Sequence, residues 1–206
     1  MRVAILGGTG SFGGALAVRL RAAGGSVVVG SRDAERARAA AAELGVEGAA
    51  NEDALAGVDI AVLAVKADGA LETARELAVA LGRTPLLSVA SALRFSKAGV
   101  RPDPDARSLA ERIAEVVEAP VVAGLHSLGA QTLGGSEPPD EDALVCGDDA
   151  DAKALALALA AGVVSGRALD AGPLASARAL EGMTAVIVNV NRRYKAHAGL
   201  RLTGVD

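Results

Sequence analysis

Val3-Ala4-Ile5-Leu6-Gly7-Gly8-Thr9-Gly10-Ser11-Phe12-Gly13 joins an apolar run to a glycine-spaced turn, and then to an Ala- and Leu-rich segment of helical length over 10–23. Gly8, Gly10 and Gly13 have the spacing of a phosphate-binding turn between a strand and a helix. Gly8 is expected to permit the tight turn, Gly10 to let the backbone approach a pyrophosphate with no Cβ in the way, and Gly13 to bring helix and strand close together. The start of the helix, with its unpaired N–H groups and the positive end of its dipole, then faces the phosphates.

The next apolar run, at 26–29, ends where a dinucleotide fold places the residue that meets the adenosine ribose. It reads Gly30-Ser31-Arg32. Selection of NAD would call for a carboxylate there, which accepts both ribose hydroxyls and repels a 2′-phosphate. Ser31 instead offers a hydroxyl and Arg32 a planar guanidinium, with Arg36 a turn further on, so NADP is the expected cofactor. Two other arrangements fit the same residues: Arg32, Arg36 and Arg38 as a solvated helix face paired with Asp33 and Glu35, and Asp33 itself as the ribose acid.

Beyond this unit, short Val/Ile/Leu runs alternate with Ala-rich amphipathic stretches. The runs lie at 3–6, 26–29, 60–65, 86–89 and 121–123, and the helical stretches at 10–23, 33–44, 68–81 and 105–117. Near-continuous apolarity suits strands buried on both faces. The pattern predicts an α/β fold, a Rossmann-like doubly wound parallel sheet, with a smaller C-terminal α/β part. A polar, glycine-rich stretch over 129–140 reads as a surface excursion. A strand at 143–146, a helix at 150–161, a strand at 167–170 and a long helix at 175–195 complete the chain. The expected division is 1–148 for dinucleotide binding and 149–206 for a part that closes the acceptor cleft and makes a homodimer contact.

Composition narrows the function classes. The chain has 206 residues, 51% of them hydrophobic, enough for a sizeable core. Lys plus Arg is 21 against 25 for Asp plus Glu, a net charge of -4, so nucleic acid and anionic lipid are not expected partners. Two Phe, one Tyr and no Trp leave no stacking platform for single-stranded nucleic acid. No apolar run is long enough for a membrane-spanning helix, and the opening residues lack the length of a signal peptide. A single Cys excludes a disulfide framework and a thiolate metal site, and a cytoplasmic protein with no bound metal is expected.

Ligands of open α/β sheets bind at the C-terminal ends of the strands. Three such exits carry small residues that leave room for a flat ring: Ala64 to Asp68, Ser88 to Ala92 and Gly124 to Gly129. Val65 falls on the cofactor side of the first. Lys66 reads as an anion contact, a proton donor or a solvated side chain. His126 reads either as a hydrogen-bonding group for the acceptor or as a strand-end cap. His197 is expected to be exposed, and Cys146 to be a buried hydrophobe. No serine or cysteine stands in a hydrolase frame.

With Val29-Gly30-Ser31-Arg32, Val145-Cys146-Gly147-Asp148-Asp149 and Leu169-Asp170-Ala171-Gly172-Pro173-Leu174 added to the opening Met1 to Gly10, the chain resembles the coenzyme F420-dependent NADP oxidoreductases. Arg178, Glu181, Thr184 and Asn189 also match that family's C-terminal pattern. The resemblance implies hydride transfer between NADP(H) and the deazaflavin coenzyme F420, with the two rings stacked in a cleft. It implies pyrophosphate contacts from Thr9 to Phe12, and 2′-phosphate contacts from Ser31, Arg32 and Arg36. It places Ala67, Leu71, Leu93 and Ala130 along NADP, His126, Ser127 and Leu128 along the deazaflavin, and His126 as the protein's candidate proton donor. Lys66-Ala67 stands where the family tends to have Pro followed by Trp, and Ala90, Ser91 and Ala92 fill a segment that contains Pro in relatives, changes that widen the acceptor side. Two other functions share the same first domain: NADP-dependent reduction of another small carbonyl or imine, and nucleotide sensing without turnover.

Overall fold

The computed structural model describes residues 1–205. Its framework is one eight-stranded sheet. In chain order the elements are β1 (Arg2–Leu6), α1 (Ser11–Ala22), β2 (Ser26–Ser31), α2 (Ala34–Leu44), β3 (Glu47–Ala50), α3 (Asn51–Ala54), β4 (Ile60–Leu63), α4 (Ala67–Glu76), α5 (Ala78–Leu81) and β5 (Leu86–Ser88). A hairpin of β6 (Leu93–Ser96) and β7 (Gly99–Pro102) follows, then α6 (Leu109–Ala114), β8 (Val121–Gly124), α7 (Ala130–Leu133), β9 (Ala143–Gly147), α8 (Ala150–Ala161), β10 (Ala168–Asp170), a single 3-10 turn (Leu174–Ser176) and α9 (Ala177–Tyr194).

The strand order is β10-β9-β8-β5-β4-β1-β2-β3. The chain leaves β1 towards one edge and returns through β4 towards the other, so the crevice over the ends of β1 and β4 is the switch point of a doubly wound sheet. Period-two alternation divides each central strand between two cores. Ala4, Leu6, Ala61 and Leu63 face α4, α6 and α9, whereas Val3, Ile5, Ile60 and Val62 face α1 and α8. This two-sided burial is what the continuous apolar runs required.

The sheet is mixed, not wholly parallel. β9 runs antiparallel to β8, Ala123 opposite Cys146, and β10 then pairs parallel with β9. The residues after 148 therefore add α8, an edge strand of the same sheet and the long α9.

Several elements differ from expectation. β3, with the sequence Glu-Gly-Ala-Ala, contains no β-branched or aromatic residue and so carried no strand signal. The stretch 68–81 divides at Leu77, whose ψ of 1° ends α4; Leu77 and Leu81 are both buried while Val79 between them is exposed. The stretch 105–117 shortens to α6 because aspartates capture the preceding backbone: Asp103 accepts from the Asp105 N–H and Asp105 from that of Arg107. Ser108 and Glu111 then form a capping box. The hairpin was unmarked because its cross-strand pairs include Arg94 opposite Arg101, a like-charge pair. The loop after α7 is polar as expected, and the buried Arg19 of α1 anchors it by donating to the carbonyls of Leu133, Gly135 and Glu137.

Candidate functional site

At the switch point lies a cleft of about 630 Å³. It brings together Thr9, Gly10, Ser31, Arg32, Arg36 and Val65 from four separate segments. Lys66 also lines it, at the N-cap position of α4.

The glycine turn divides its labour differently from the sequence expectation. The left-handed residue is Gly7, at φ 80°, where a Cβ would also stand 2.5 Å from Val65 Cγ1. Gly8 serves packing instead, since a Cβ there would meet Val29 at 2.8 Å and the Ile5 carbonyl at 2.9 Å. Gly13 packs on Gly8, its Cβ position being 2.7 Å from Gly8 Cα. Gly10 faces open space, with only the Gly7 carbonyl at 3.4 Å. The N–H groups of Gly7 and Gly8 both donate to the Gly30 carbonyl, which fixes the turn to the end of β2. Ser11 is exposed and Phe12 packs partly into the core; neither side chain lines the cleft, so their contribution is the backbone of the first helical turn.

The charged residues after β2 are sorted by the start of α2. The Asp33 carboxylate caps it, accepting from the N–H groups of Glu35 and Arg36, and so is committed to the helix. Arg38 pairs with Glu35. Among the described residues no carboxylate pairs with Arg32 or Arg36, and both line the cleft. The solvated-face arrangement therefore accounts for Arg38 alone. Two arginines outside any ion pair, beside a hydroxyl and an open helix start, form an anion cradle that fits a phosphorylated dinucleotide, with Asp68, Glu72 and Glu76 also lining the cleft.

A second cleft, about 370 Å³, adjoins the first across Asp68 and Glu72 of α4. Ala67, Leu71, Ala92, Leu93 and Leu109 give it apolar walls, with Arg75, Asp103 and Arg112 at its edge. Small and aliphatic side chains beside the cofactor cleft fit a flat acceptor ring. Ala130 begins α7 and lines neither cleft.

His126, Ser127 and Leu128 are buried and line neither cleft; His126 meets Ser91, the neighbour of Ala92 in the second cleft. Their surroundings fix the protonation of His126. Thr184 Oγ1 donates to the His126 carbonyl at 2.8 Å, so its own oxygen is left to accept from Ser91 Oγ, also at 2.8 Å. With the Ser91 hydrogen used, the 3.1 Å contact between Ser91 and His126 requires Nδ1–H of the imidazole to donate. Nε2 is then a bare acceptor, and it is shielded and without a partner. Burial pulls the pKa of His126 from 6.5 down to about 4, so the ring is neutral at pH 7.

Helix α9 holds the 100–110 segment through a polar row. Arg178 donates to the Asp103 carbonyl. Glu181, 2% exposed, accepts from the N–H groups of Leu109 and Ala110 at the start of α6. Asn189 closes a two-point pair with the backbone of Val100 in β7. Cys146 is buried and its thiol is pushed up to about 11 by desolvation, so it stays protonated. His197 is exposed. No group of His, Cys, Asp and Glu among the described residues could hold a metal ion, and no helix is long and apolar enough to cross a membrane.

Sequence reasoning missed Gly7 and Asn51. The first sits within the motif and betrays itself only by its φ. The second reaches the cleft from the end of β3, the strand that left no mark in the sequence.

Comparison with known proteins agrees with this architecture. Residues 2–92 match the family described as NADP oxidoreductase, coenzyme F420-dependent. An F420-dependent NADP reductase of Methanothermobacter thermautotrophicus is 35% identical, over 100% of this chain and 96% of that one. One from Methanocaldococcus jannaschii is 32% identical over the full length of both. The crystal structure of a candidate F420-dependent NADP reductase from an Arthrobacter species superposes with a TM-score of 0.86 at 26% identity, covering 98% of this chain and 99% of that one.

Proposed function

The chain belongs to the coenzyme F420-dependent NADP oxidoreductase family, and from that membership together with its clefts we propose that it is an oxidoreductase transferring a hydride between NADP(H) and coenzyme F420. The observation that carries the cofactor half is the pair Arg32 and Arg36, outside any ion pair, in one cleft with Ser31, Thr9 and Gly10.

When bound, the two rings supply the redox chemistry, a hydride passing between nicotinamide C4 and deazaflavin C5. The protein's part is placement. The first turn of α1 and Thr9 hold the pyrophosphate; Ser31, Arg32 and Arg36 hold the 2′-phosphate. Val65, Ala67, Leu71 and Leu93 border the nicotinamide and the acceptor, in small side chains that let flat rings approach face to face. Lys66, at the mouth of β4, adds positive charge beside the phosphates.

His126 acts as a positioning residue. Its one ring hydrogen is given to Ser91, and a pKa of about 4 keeps a second proton off, so water supplies any proton the acceptor needs. The family resemblance sets Ser127 and Leu128 along the deazaflavin and Ala130 along NADP; in this chain none of the three lines either cleft, and Leu128 packs with α1 and α8. Residues 149–206 close the acceptor side through α9. Val186, Val190 and Tyr194, exposed at a spacing of four on that helix, are the surface for a second copy of the chain, which sedimentation would detect as a dimer. A single buried thiol suits the cytoplasm.

The test mixes purified protein with NADPH and oxidised F420 and follows loss of the deazaflavin absorption band. Turnover at micromolar acceptor is the expected result. NADPH consumption only with imines or carbonyl compounds would reassign the acceptor, and tight NADPH binding with no consumption would make the chain a sensor.

A further inference from the structure

Residues 196–202, beyond α9, form no helix or strand, yet they are pinned along their length. The Ala198 N–H donates to Asn191 Oδ1 at 2.6 Å, the Leu200 carbonyl accepts from the Asp142 N–H at 2.7 Å, and the Leu202 N–H donates to Asp142 Oδ2 at 2.8 Å. Arg167 donates to the Leu202 carbonyl, Arg201 pairs with Asp140, and Leu200 packs against the core. This strap ties the last helix to the start of β9. Because β9 runs antiparallel to β8, that start lies beside the exit of β8, where Ser127 Oγ donates to the Asp142 carbonyl.

Beneath the strap lies a carboxyl group. Glu141 is 7% exposed, and its Oε2 is shielded with no hydrogen-bond partner. Gly199 rests directly on it, since a Cβ there would overlap Glu141 Cγ, Cδ and Oε2. The charges around it are already matched, Arg201 with Asp140 and Arg167 with Asp142, and Thr132 of α7 brings none. His197, exposed on the strap, is the remaining titratable side chain of the cavity of about 500 Å³ beside Glu141. Burial pushes the Glu141 carboxyl up from its ordinary value of 4.5. An unpaired carboxylate held out of water is costly, whereas the protonated form is neutral.

We propose that residues 196–202 are a pH-sensitive strap, shut on Gly199 while Glu141 is protonated and released when Glu141 ionises. Once the strap lifts, water reaches the carboxyl from the cavity, and the group ionises at its ordinary value. In the closed form it keeps its proton to higher pH. Opening is therefore least favoured in acid, grows as pH rises past 4.5, and levels off once the closed form ionises as well. Release removes the contacts of Asp142 with Leu200 and Leu202, and so loosens the start of β9 beside the exit of β8. The inference is independent of which cofactor the clefts hold.

Hydrogen exchange of the full chain, read by mass spectrometry, tests it. Each variant is compared with the unsubstituted chain at the same pH, so that intrinsic exchange rates cancel. Glu141→Gln mimics the protonated carboxyl in shape and charge. For the amides of 198–202, the rate of the unsubstituted chain relative to Glu141→Gln should rise threefold or more between about pH 4.5 and about pH 8, while the ratio for α8 stays constant. Gly199→Ala sets a methyl group where the carboxyl lies and should hold the strap off at every pH. The unsubstituted chain should exchange more slowly than Gly199→Ala in acid and approach it as pH rises. A ratio to Glu141→Gln that does not change with pH would overturn the proposal. Should that variant not fold, a constant ratio to Gly199→Ala would do the same.

Discussion

Thr184 on α9 donates its hydroxyl hydrogen to the His126 carbonyl at 2.8 Å, across the gap between the last helix and the exit of β8. This one bond decides the rest of the network, because it forces Ser91 to donate to Thr184 and His126 to donate to Ser91. A helix distant in sequence thereby sets the tautomer of a buried histidine at the exit of β8.

Thr184→Val keeps the shape and removes the hydroxyl, leaving a buried carbonyl bare and the Ser91 hydrogen unused. Stability should fall by about 1–3 kcal/mol, measured by urea unfolding, and Thr184→Ser should restore most of it. The KM for the deazaflavin should rise while that for NADPH holds. Equal changes in both would show that the network does not act on the acceptor side.

His126 makes stability depend on acid. Its folded pKa is depressed to about 4 from 6.5, so below pH 6.5 the unfolded chain takes up a proton that the folded chain refuses until about pH 4. Stability should therefore decline from pH 6.5 towards pH 4, by up to about 3 kcal/mol from this residue, and level off below. His126→Asn replaces Nδ1–H by an amide N–H and does not titrate. The difference between the two unfolding profiles should vanish below pH 4 in slope; parallel profiles from pH 6.5 to 4 would contradict a neutral, buried imidazole.

The glycines of the first turn separate folding from binding. Gly10→Ala meets only the Gly7 carbonyl at 3.4 Å, so melting should change little while NADPH affinity drops tenfold or more, about 1.4 kcal/mol. Gly7→Ala forces a side chain into φ 80° and against Val65, and should destabilise the fold by about 1–3 kcal/mol. If Gly10→Ala bound NADPH normally, the pyrophosphate would lie elsewhere.

Arg32→Ala removes one fork of the phosphate cradle. The KM for NADPH should rise by tenfold or more, as a charged hydrogen-bonded contact is lost, with a much smaller effect on NADH. Equal effects on the two cofactors would show that the guanidinium does not read the 2′-phosphate.

Glu181→Gln tests how α6 is held. The carboxylate accepts from two N–H groups at the start of that helix, and one amide oxygen cannot replace both lone-pair sets or the charge. A loss of about 1–2 kcal/mol in stability is expected. A rise in the KM for the deazaflavin should accompany it, since α6 contributes Leu109 to the second cleft.

The opening strand, the glycine spacing and Ser31-Arg32 were legible because they are local. A phosphate turn needs small residues at fixed offsets within one loop, and a strand buried on both faces must be apolar throughout, so both leave their mark in consecutive residues. Cofactor type followed from the same short span.

What the tertiary structure alone decided comes from groups that meet across the chain. Arg32 is free for a phosphate only because Asp33 and Glu35 are occupied elsewhere. His126 is neutral because burial excludes a second proton, and Ser91 and Thr184, 93 positions apart, set its tautomer. Asn51 enters the cleft as the first residue of α3, directly after a strand whose Gly and Ala residues carry no β signal and which is held by register to β2. Hydrogen-bond direction, desolvation and register depend on which groups face each other in space, and no spacing along the sequence encodes them.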